Sequence, residues 1–232
     1  MTTHLMNNLS ENLQTIHSRI NAAAQRSGRT PDQIRLIAAS KKQTADKLRQ
    51  AVEAGQTTFG ENRFQEGRAK IPQLPSHLEW HFIGGLQRNK VKDIVRLFPW
   101  IHSVDTTDLI DEIQKRAAYA GVFPKILIEI NVGSEASKHG APLSAAAELA
   151  TYANQQTNIE IHGFMAVAPF YEDLEKVRPF FTVLREERDR VEAQTGLILP
   201  ELSMGMTHDF ETAIEEGATM IRVGTGIFGT RS

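Results

Sequence analysis

Eight short β-rich runs alternate with segments of helical periodicity, and this alternation constrains the fold more than any other feature of the chain. The runs are IRLIAAS, TTFGEN, EWHFIG, IHSVD, KILIEINV, IEIHGFMAV, ELSMG and TMIRVG. Strands that alternate with helices indicate a parallel sheet covered by helices. Because the connections are too short to hold another domain, a closed (β/α)8 TIM-type barrel is favoured over an open doubly wound sheet, which is the alternative.

A helix is predicted ahead of the first strand. Leu9, Leu13, Ile16 and Ile20 recur at helical spacing, and Gly28 is placed to end the helix. A chain of 232 residues is long enough for one sizeable core. We therefore expect residues 1–232 to form a single barrel domain that begins with this helix.

The composition excludes several classes of function. Lys and Arg total 26 against 28 Asp and Glu, a formal charge of -2, so no basic footprint for nucleic acid exists. The absence of cysteine excludes thiol nucleophiles, disulfides and thiolate metal sites. The polar start lacks a signal-peptide pattern, and no run of about 18 apolar residues suggests a membrane span. We expect a soluble, cytoplasmic protein that acts on small molecules or proteins.

The first strand is predicted to end on two lysines, Lys41 and Lys42, at the end of the barrel where active residues gather. Because successive side chains of a strand point to opposite faces, Lys41 should share the inner face with Ile37 and Ala39, with Lys42 outside. The same alternation directs Arg222 inward on the last strand. A lysine confined with other cations has a lowered pKa and supplies the neutral amine that forms Schiff bases. A solvated charge is the commoner role of such a lysine, so spacing alone leaves both open.

The glycine-rich end of the chain indicates an anion site. GTGIFG matches the spacing of a dinucleotide fingerprint, but only three residues follow it, too few for the required helix and second strand. Gly224 and Gly226 instead let backbone N–H groups approach an oxyanion, and Thr225 adds a hydroxyl. Ser203, on the neighbouring strand, would donate a second hydroxyl. The alternative is that the glycines only tighten the last turn.

No metal site is predicted. The eight histidines form no ligand pattern, and His81, His102 and His162 lie one to a strand, as packed or hydrogen-bonded core residues do. The acids after the fourth strand suit a helix start, and no pair of catalytic carboxylates emerges. The loop SKHG, residues 137–140, could hold an anion or be an ordinary turn.

Long motifs along the chain carry a family resemblance. They are AASK, FGENRFQE, WHFIGGLQRNKVK, IHSVD, INVGSEASKHG, GFMAV and LSMGMTHDFETAIEEGATMIRVGTGIFGTR. From about Ile34 onward the chain resembles the pyridoxal 5'-phosphate homeostasis (YggS-like) family. The resemblance implies the barrel of alanine racemase and bacterial-type ornithine decarboxylase without their second, β domain. KQT at 42–44 and Arg63 depart from the pattern of many relatives, away from the implied cofactor contacts.

The resemblance also implies a site. Pyridoxal 5'-phosphate would be held as a Schiff base on Lys41, with Arg222 at the pyridine nitrogen and Asn62 near the ring. The implied phosphate contacts are Ser203, the backbone around Met204 and Gly205, and Gly224 and Thr225.

A cation opposite the pyridine nitrogen weakens the ring as an electron sink and disfavours carbanion chemistry. Racemases with this arginine use a tyrosine from the β domain, whereas of Tyr119, Tyr152 and Tyr171 only Tyr171 could approach the cofactor. We therefore expect a carrier or buffer in intracellular vitamin B6 homeostasis that passes the cofactor to apo-enzymes. The alternatives are a slow racemase or lyase, or a barrel enzyme with an aldolase-type Schiff base. A monomer or weak dimer, and a second aldehyde site at Lys138, stay open.

Overall fold

Each of the eight β-rich runs forms one strand of a closed barrel, in the order of the sequence. The computed structural model describes residues 2–133 and 139–229, without the side chains of residues 2–8. Every strand pairs in parallel with the next, and the eighth pairs with the first, so the barrel is confirmed and the open sheet is excluded. The strands are β1 (Arg35–Ala39), β2 (Thr58–Glu61), β3 (Glu79–Phe82), β4 (Trp100–Val104), β5 (Lys125–Glu129), β6 (Glu160–Met165), β7 (Glu201–Met206) and β8 (Met220–Val223).

Helices separate the strands and cover the outside of the barrel. Thr44 is the N-cap of the helix after β1, because its side chain accepts a hydrogen bond from the Lys47 backbone N–H at 3.3 Å. The α-helices of the described residues are α1 (Thr2–Arg26), α2 (Ala45–Glu53), α3 (Phe64–Lys70), α4 (Val91–Leu97), α5 (Thr107–Ala120), α6 (Ala146–Asn154), α7 (Arg178–Thr195), α8 (Phe210–Glu215) and α9 (Thr225–Phe228).

The strands bury one set of side chains inside the barrel and another beneath the helices. Leu36 and Ala38 of β1, and Ile221 and Val223 of β8, belong to the large outer core. A separate inner cluster consists of Ile37, Trp100, Leu127, Met165 and Met220. The alternation predicted for β1 and β8 is therefore confirmed, and it directs the residues that follow Ile37 and Met220 on the same face toward the barrel axis.

The predicted N-terminal helix is α1, which ends two residues before Gly28. Its apolar positions are buried: Leu9, Leu13, Ile16 and Ile20. The helix packs on α8 and α9, and Arg19 bonds to Glu211 of α8 at 2.7 Å. Consequently α1 braces the last turn of the chain that the structure describes.

All strands named above belong to the barrel, so the described ranges contain no β domain. Within those same ranges, no helix has both the length and the apolar character needed to cross a membrane.

Candidate functional site

Residues from both ends of the chain meet at the carboxyl end of the barrel. β8 pairs with β1, with Ile37 opposite Arg222. A Cβ atom built on Gly224 would lie 3.4 Å from the Ala39 carbonyl oxygen and 3.6 Å from the Ala39 Cβ. The glycine-rich segment after β8 is therefore in contact with the end of the strand that leads to Lys41.

The structure places Lys41 in a turn instead of at the strand end. β1 stops at Ala39, Ser40 is buried, and Lys41 and Lys42 form an exposed turn. Lys42 has a φ of 62°, in the left-handed region, so strand alternation no longer applies beyond Ser40. The expectation that alternation orients these two lysines is wrong for this reason, although Lys41 does follow the inward-facing Ala39 at the barrel mouth.

A buried ionic network holds the residues on both sides of Lys41. Ser40 donates its hydroxyl to Glu61 Oε1 at 2.7 Å, and its carbonyl accepts from Lys70 Nζ at 2.9 Å. Lys70 also bonds to Glu61 and Glu66, each at 2.8 Å. Beyond Lys41, the backbone N–H of residue 42 donates to Glu66 Oε2 at 2.5 Å. The backbone that presents Lys41 is thus fixed before and after it.

Desolvation decides the ionisation behaviour of this network. The Glu61 side chain is fully buried and that of Lys70 is 9% exposed. Burial raises the pKa of Glu61, although hydrogen bonds from Lys70 and Ser40 oppose this shift. The second carboxylate oxygen of Glu61 is buried without a hydrogen-bond partner. The Lys70 ammonium is therefore what stabilises the Glu61 carboxylate in the folded protein.

Asn62 offers an unused acceptor beside this network. Its Oδ1 atom is buried and has no hydrogen-bond partner. A Cβ atom at Gly84 would lie 2.2 Å from the Asn62 carbonyl oxygen, so only glycine lets the loop after β3 approach this closely. Asn62 also lines a cavity of about 480 Å³ between these loops, with Arg63, Phe64 and Lys90. An unpaired buried acceptor of this kind is satisfied when a bound group donates to it.

Arg222 is buried in the barrel interior, as its predicted inward orientation requires. Its Nη1 donates to Ser203 Oγ at 2.5 Å and its Nη2 to the Ala166 carbonyl at 2.9 Å. Burial lowers the pKa of Arg222 to about 10, while Glu129 and Asp209 oppose the shift. The guanidinium is therefore still a cation at neutral pH, and it can only donate hydrogen bonds.

Ser203 does not offer its hydroxyl to the glycine-rich segment. The hydroxyl is fully buried, between Arg222 and His102. The register of β7 shifts between Ser203 and Met206, so the strand residues beyond the irregularity, and not Ser203, lead to the mouth of the barrel. Met204 belongs to the outer core, which leaves only its backbone for a ligand.

Thr207 occupies the place expected for Ser203. Its Oγ1 accepts long hydrogen bonds from the backbone N–H groups of Gly224, at 3.3 Å, and Gly226, at 3.4 Å. Hydrogen bonds of this length are weak, so these amides can exchange them for a stronger acceptor such as an oxyanion. Thr225, next to them, is exposed. Thr207 was not predicted as a site residue, and the signal for it in the sequence was a hydroxyl in the same SMGMTHD motif as Ser203.

The glycine-rich segment is braced from behind by distant parts of the chain. Lys47 Nζ donates to the Phe228 carbonyl and Asn12 Nδ2 to the Ile227 carbonyl, each at 3.0 Å. Ile16 of α1 lies 3.1 Å from the position of a Cβ atom at Gly226. These contacts occupy the carbonyl groups of Ile227 and Phe228 at the carboxyl end of α9, opposite the end that carries the Gly224 and Gly226 amides.

The other candidates from the sequence are the three tyrosines, the possible metal ligands and Lys138. Tyr152 donates to Asp111, and the ring of Tyr171 stacks on Phe180 at 6.1 Å. Tyr119 is 83% exposed. No group of three or more metal-ligating side chains occurs among the described residues. Lys138, with residues 134–137, lies outside the described residues.

Residues 11–232 match the family model of the alanine racemase N-terminal domain. The pyridoxal phosphate homeostasis protein of Aquifex aeolicus (strain VF5) is 44% identical over 225 residues, which cover 97% of this chain and 99% of that protein. The chain belongs to the pyridoxal phosphate homeostasis proteins of this family. The Escherichia coli (strain K12) protein of the same name is 38% identical over 236 residues, 97% of this chain and 98% of that protein.

A solved structure of a relative extends this comparison to three dimensions. PipY of Synechococcus elongatus PCC7942, determined with PLP bound, aligns with a TM-score of 0.84 and 35% identity, covering 95% of this chain and all of PipY. The family resemblance and the closed barrel are thus confirmed for this pyridoxal phosphate homeostasis family member, and the described residues contain no β domain.

Proposed function

We propose that this protein binds pyridoxal 5'-phosphate at the carboxyl end of the barrel and buffers the supply of this cofactor in vitamin B6 homeostasis. The observation that carries the proposal is the contact between the glycine-rich segment and Ala39, which brings a loop of phosphate-binding character beside the turn of Lys41. The names of the relatives and the PLP bound to PipY support it. We propose the cytoplasm as the compartment.

The residues present fit the cofactor. The Gly224 and Gly226 amides with the Thr207 hydroxyl suit the phosphate, and the exposed Thr225 adds a second hydroxyl. The unpaired Oδ1 of Asn62 suits a donor on the ring, since an acceptor buried without a partner is costly. The backbone of Met204 and Gly205 remains a proposed contact, and Ser203 would act through Arg222.

Lys41 is the proposed anchor for the aldehyde. Its neutral amine adds to the carbonyl carbon, and loss of one water molecule leaves a C=N bond between Lys41 and the cofactor. Addition of water to the same bond regenerates the amine and the free aldehyde. Because the reaction is reversible and needs no other reagent, it suits a buffer that takes up a reactive aldehyde and releases it to apo-enzymes.

Binding is favoured over catalysis by the groups around the site. Bound pyridoxal phosphate supplies an electron sink, and this sink is strong only when the pyridine nitrogen is protonated. Arg222 is a cation that can only donate hydrogen bonds, so it cannot accept a hydrogen bond from a protonated pyridine nitrogen, and its positive charge opposes protonation there. The three tyrosines contact other parts of the chain or solvent. We propose a monomer or weak dimer without a dedicated catalytic base.

The test is uptake of pyridoxal phosphate by the purified full-length chain. We expect a visible absorption band, and after borohydride reduction the added mass should map to the peptide that contains Lys41. Lys41→Ala should abolish both signals. Lys42→Asn is the matched control, because asparagine tolerates the left-handed φ of this exposed neighbour. A label on Lys42, or none on either lysine, would contradict the proposal.

A second measurement separates the buffer from an enzyme. Amino acids are added to the loaded protein in deuterated water, and exchange of the α-proton is followed by NMR. We expect no sustained exchange. Exchange that continues over many turnovers and disappears in Lys41→Ala would establish the racemase or lyase alternative instead.

A further inference from the structure

A chain of hydrogen bonds runs through the barrel from Glu79 at the amino-terminal end of β3 to Arg222. His81 Nε2 lies 2.7 Å from Glu79 Oε1, and His81 Nδ1 lies 2.8 Å from His102 Nε2. His102 Nδ1 lies 2.9 Å from Ser203 Oγ, which accepts from Arg222 at 2.5 Å. Both histidines are fully buried, whereas the Glu79 side chain is 40% exposed.

The two ends of this chain determine its direction. Arg222 can only donate, and an ionised Glu79 can only accept. If both histidines are neutral, His81 Nε2–H must donate to Glu79, which leaves His81 Nδ1 as an acceptor. His102 Nε2–H then donates to His81, and His102 Nδ1 accepts the Ser203 hydroxyl hydrogen. Every member donates toward Glu79, and no partner is left unsatisfied.

Burial favours neutral histidines. It lowers the pKa of both, and for His102 the neighbouring His81 and Arg222 lower it further, whereas the carboxylate of Glu79 opposes the shift at His81. The hydrogen bond to His81 lowers the pKa of Glu79. Three other charged side chains face this end of the barrel, namely Arg35 (3.8 Å from Glu79), Lys125 and Glu201.

We propose that Glu79, His81 and His102 are positioning residues that hold the Ser203 hydroxyl, and through it Arg222, by a one-directional chain in which both histidines are neutral Nε2–H tautomers. Two elements of the site follow from this direction. The Ser203 hydrogen is committed to His102, so this hydroxyl cannot donate to a phosphate. The Arg222 N–H groups that do not bond to Ser203 or Ala166 remain for the ring of the cofactor, a role that rests on the proposed function.

The direction of the hydrogen bonds from Arg222 to Glu79 can be tested on the protein without any cofactor. Long-range ¹⁵N–¹H correlation spectra of the full-length chain at pH 7 distinguish the two tautomers and the imidazolium. Single His81→Gln and His102→Gln variants assign the signals. We expect both residues to carry the proton on Nε2. A proton on Nδ1 of either ring, or an imidazolium at either position, would overturn the proposal.

A substitution of Glu79, at the exposed end of the hydrogen-bond chain, tests whether this residue sets the tautomer of His102. Glu79→Gln replaces an acceptor-only group by an amide that can also donate, which permits the reverse chain. Because Arg222 still donates to Ser203, the reverse chain leaves the Ser203 hydrogen without an acceptor, so we expect only part of the protein to reverse. The His102 nitrogen shifts should then move part of the way toward the Nδ1–H tautomer, although residue 79 does not touch His102. Unchanged His102 shifts would contradict the inference that the Glu79 carboxylate directs the chain.

The link to the cofactor site is tested separately. Glutamine at position 102 can donate to His81 and accept from Ser203, whereas leucine can do neither. We expect His102→Leu to weaken pyridoxal phosphate binding about two- to tenfold, the effect of one hydrogen bond, and His102→Gln to restore most of it. Equal affinities for the two variants would refute the positioning role. If the wild-type chain binds no pyridoxal phosphate, the proposed function fails while the tautomer test still stands.

Discussion

Replacing Lys70 by methionine would remove the cation that holds the turn of Lys41. The Lys70 ammonium bonds to Glu61 and Glu66 at 2.8 Å and to the Ser40 carbonyl at 2.9 Å. Methionine keeps most of the apolar length of lysine but has no charge and no donor. The fully buried Glu61 side chain would then lack its counter-ion, and the Ser40 carbonyl would lose a hydrogen bond.

The expected loss of stability is large. Removing one partner of a buried ion pair costs about 3–5 kcal/mol. For a domain of this size each kcal/mol changes Tm by about 2–4 °C, so Tm should fall by roughly 6–20 °C. Burial already raises the pKa of Glu61, and loss of Lys70 raises it further. The destabilisation should therefore be smallest at pH values below the unfolded carboxyl pKa and grow as pH rises through the folded pKa.

Urea unfolding followed by circular dichroism measures this effect at pH 7.5 and pH 5. Lys92→Met is the matched control, because Lys92 is an exposed lysine of α4 and its replacement should change the free energy of unfolding by less than about 0.5 kcal/mol. Adding Glu61→Gln to Lys70→Met should recover much of the loss, since no buried charge remains. A loss below about 1 kcal/mol, or one independent of pH, would refute the reasoning.

Three further predictions follow from the site and the barrel interior. Thr207→Val should weaken pyridoxal phosphate binding about two- to tenfold in an absorbance titration, because it removes the hydroxyl that contacts the Gly224 and Gly226 amides. Gly205→Ala should destabilise the protein by at least about 1–3 kcal/mol in urea unfolding, because φ is 89° and the new Cβ would lie 2.6 Å from Ala213 Cβ. The pKa values of His81 and His102 are lowered in the folded protein, so below about pH 6.5 the unfolded state binds more protons than the folded state. The free energy of unfolding should therefore decrease as the pH is lowered from about 6.5, by up to about 1.4 kcal/mol per pH unit for each histidine.

The first two predictions have control variants, and the third has an outcome that would refute it. Thr207→Ser retains the hydroxyl and should bind normally, and equal weakening in both variants would point to packing instead. Gly28→Ala shares a positive φ but meets no atom within 4 Å, so it should cost less than Gly205→Ala. A free energy of unfolding that stays constant from pH 7 to pH 5 would contradict neutral, buried histidines at positions 81 and 102.

Local pattern was sufficient for the fold and for part of the site. The order of the strands follows from the alternation of strands with helices along the chain. The inward faces of Ile37 and Met220 follow from the alternation of side chains between the two faces of a regular strand. Prediction from alternation failed where the backbone leaves that geometry. The turn at Lys42 and the register shift after Ser203 are such places, and no residue pattern announces either of them. Thr207 was missed for the second of these reasons.

The parallel barrel, the helix before it and the family can be predicted from the amino-acid sequence, because these depend on periodicity and on motifs that are contiguous in the chain. Which side chains meet depends instead on the folded barrel. Closure of β8 onto β1 brings the glycine-rich segment to the Lys41 turn. Burial inside the barrel joins His81, His102 and Ser203 from three different strands. Such contacts depend on register and closure of the whole sheet, which no local stretch of residues encodes.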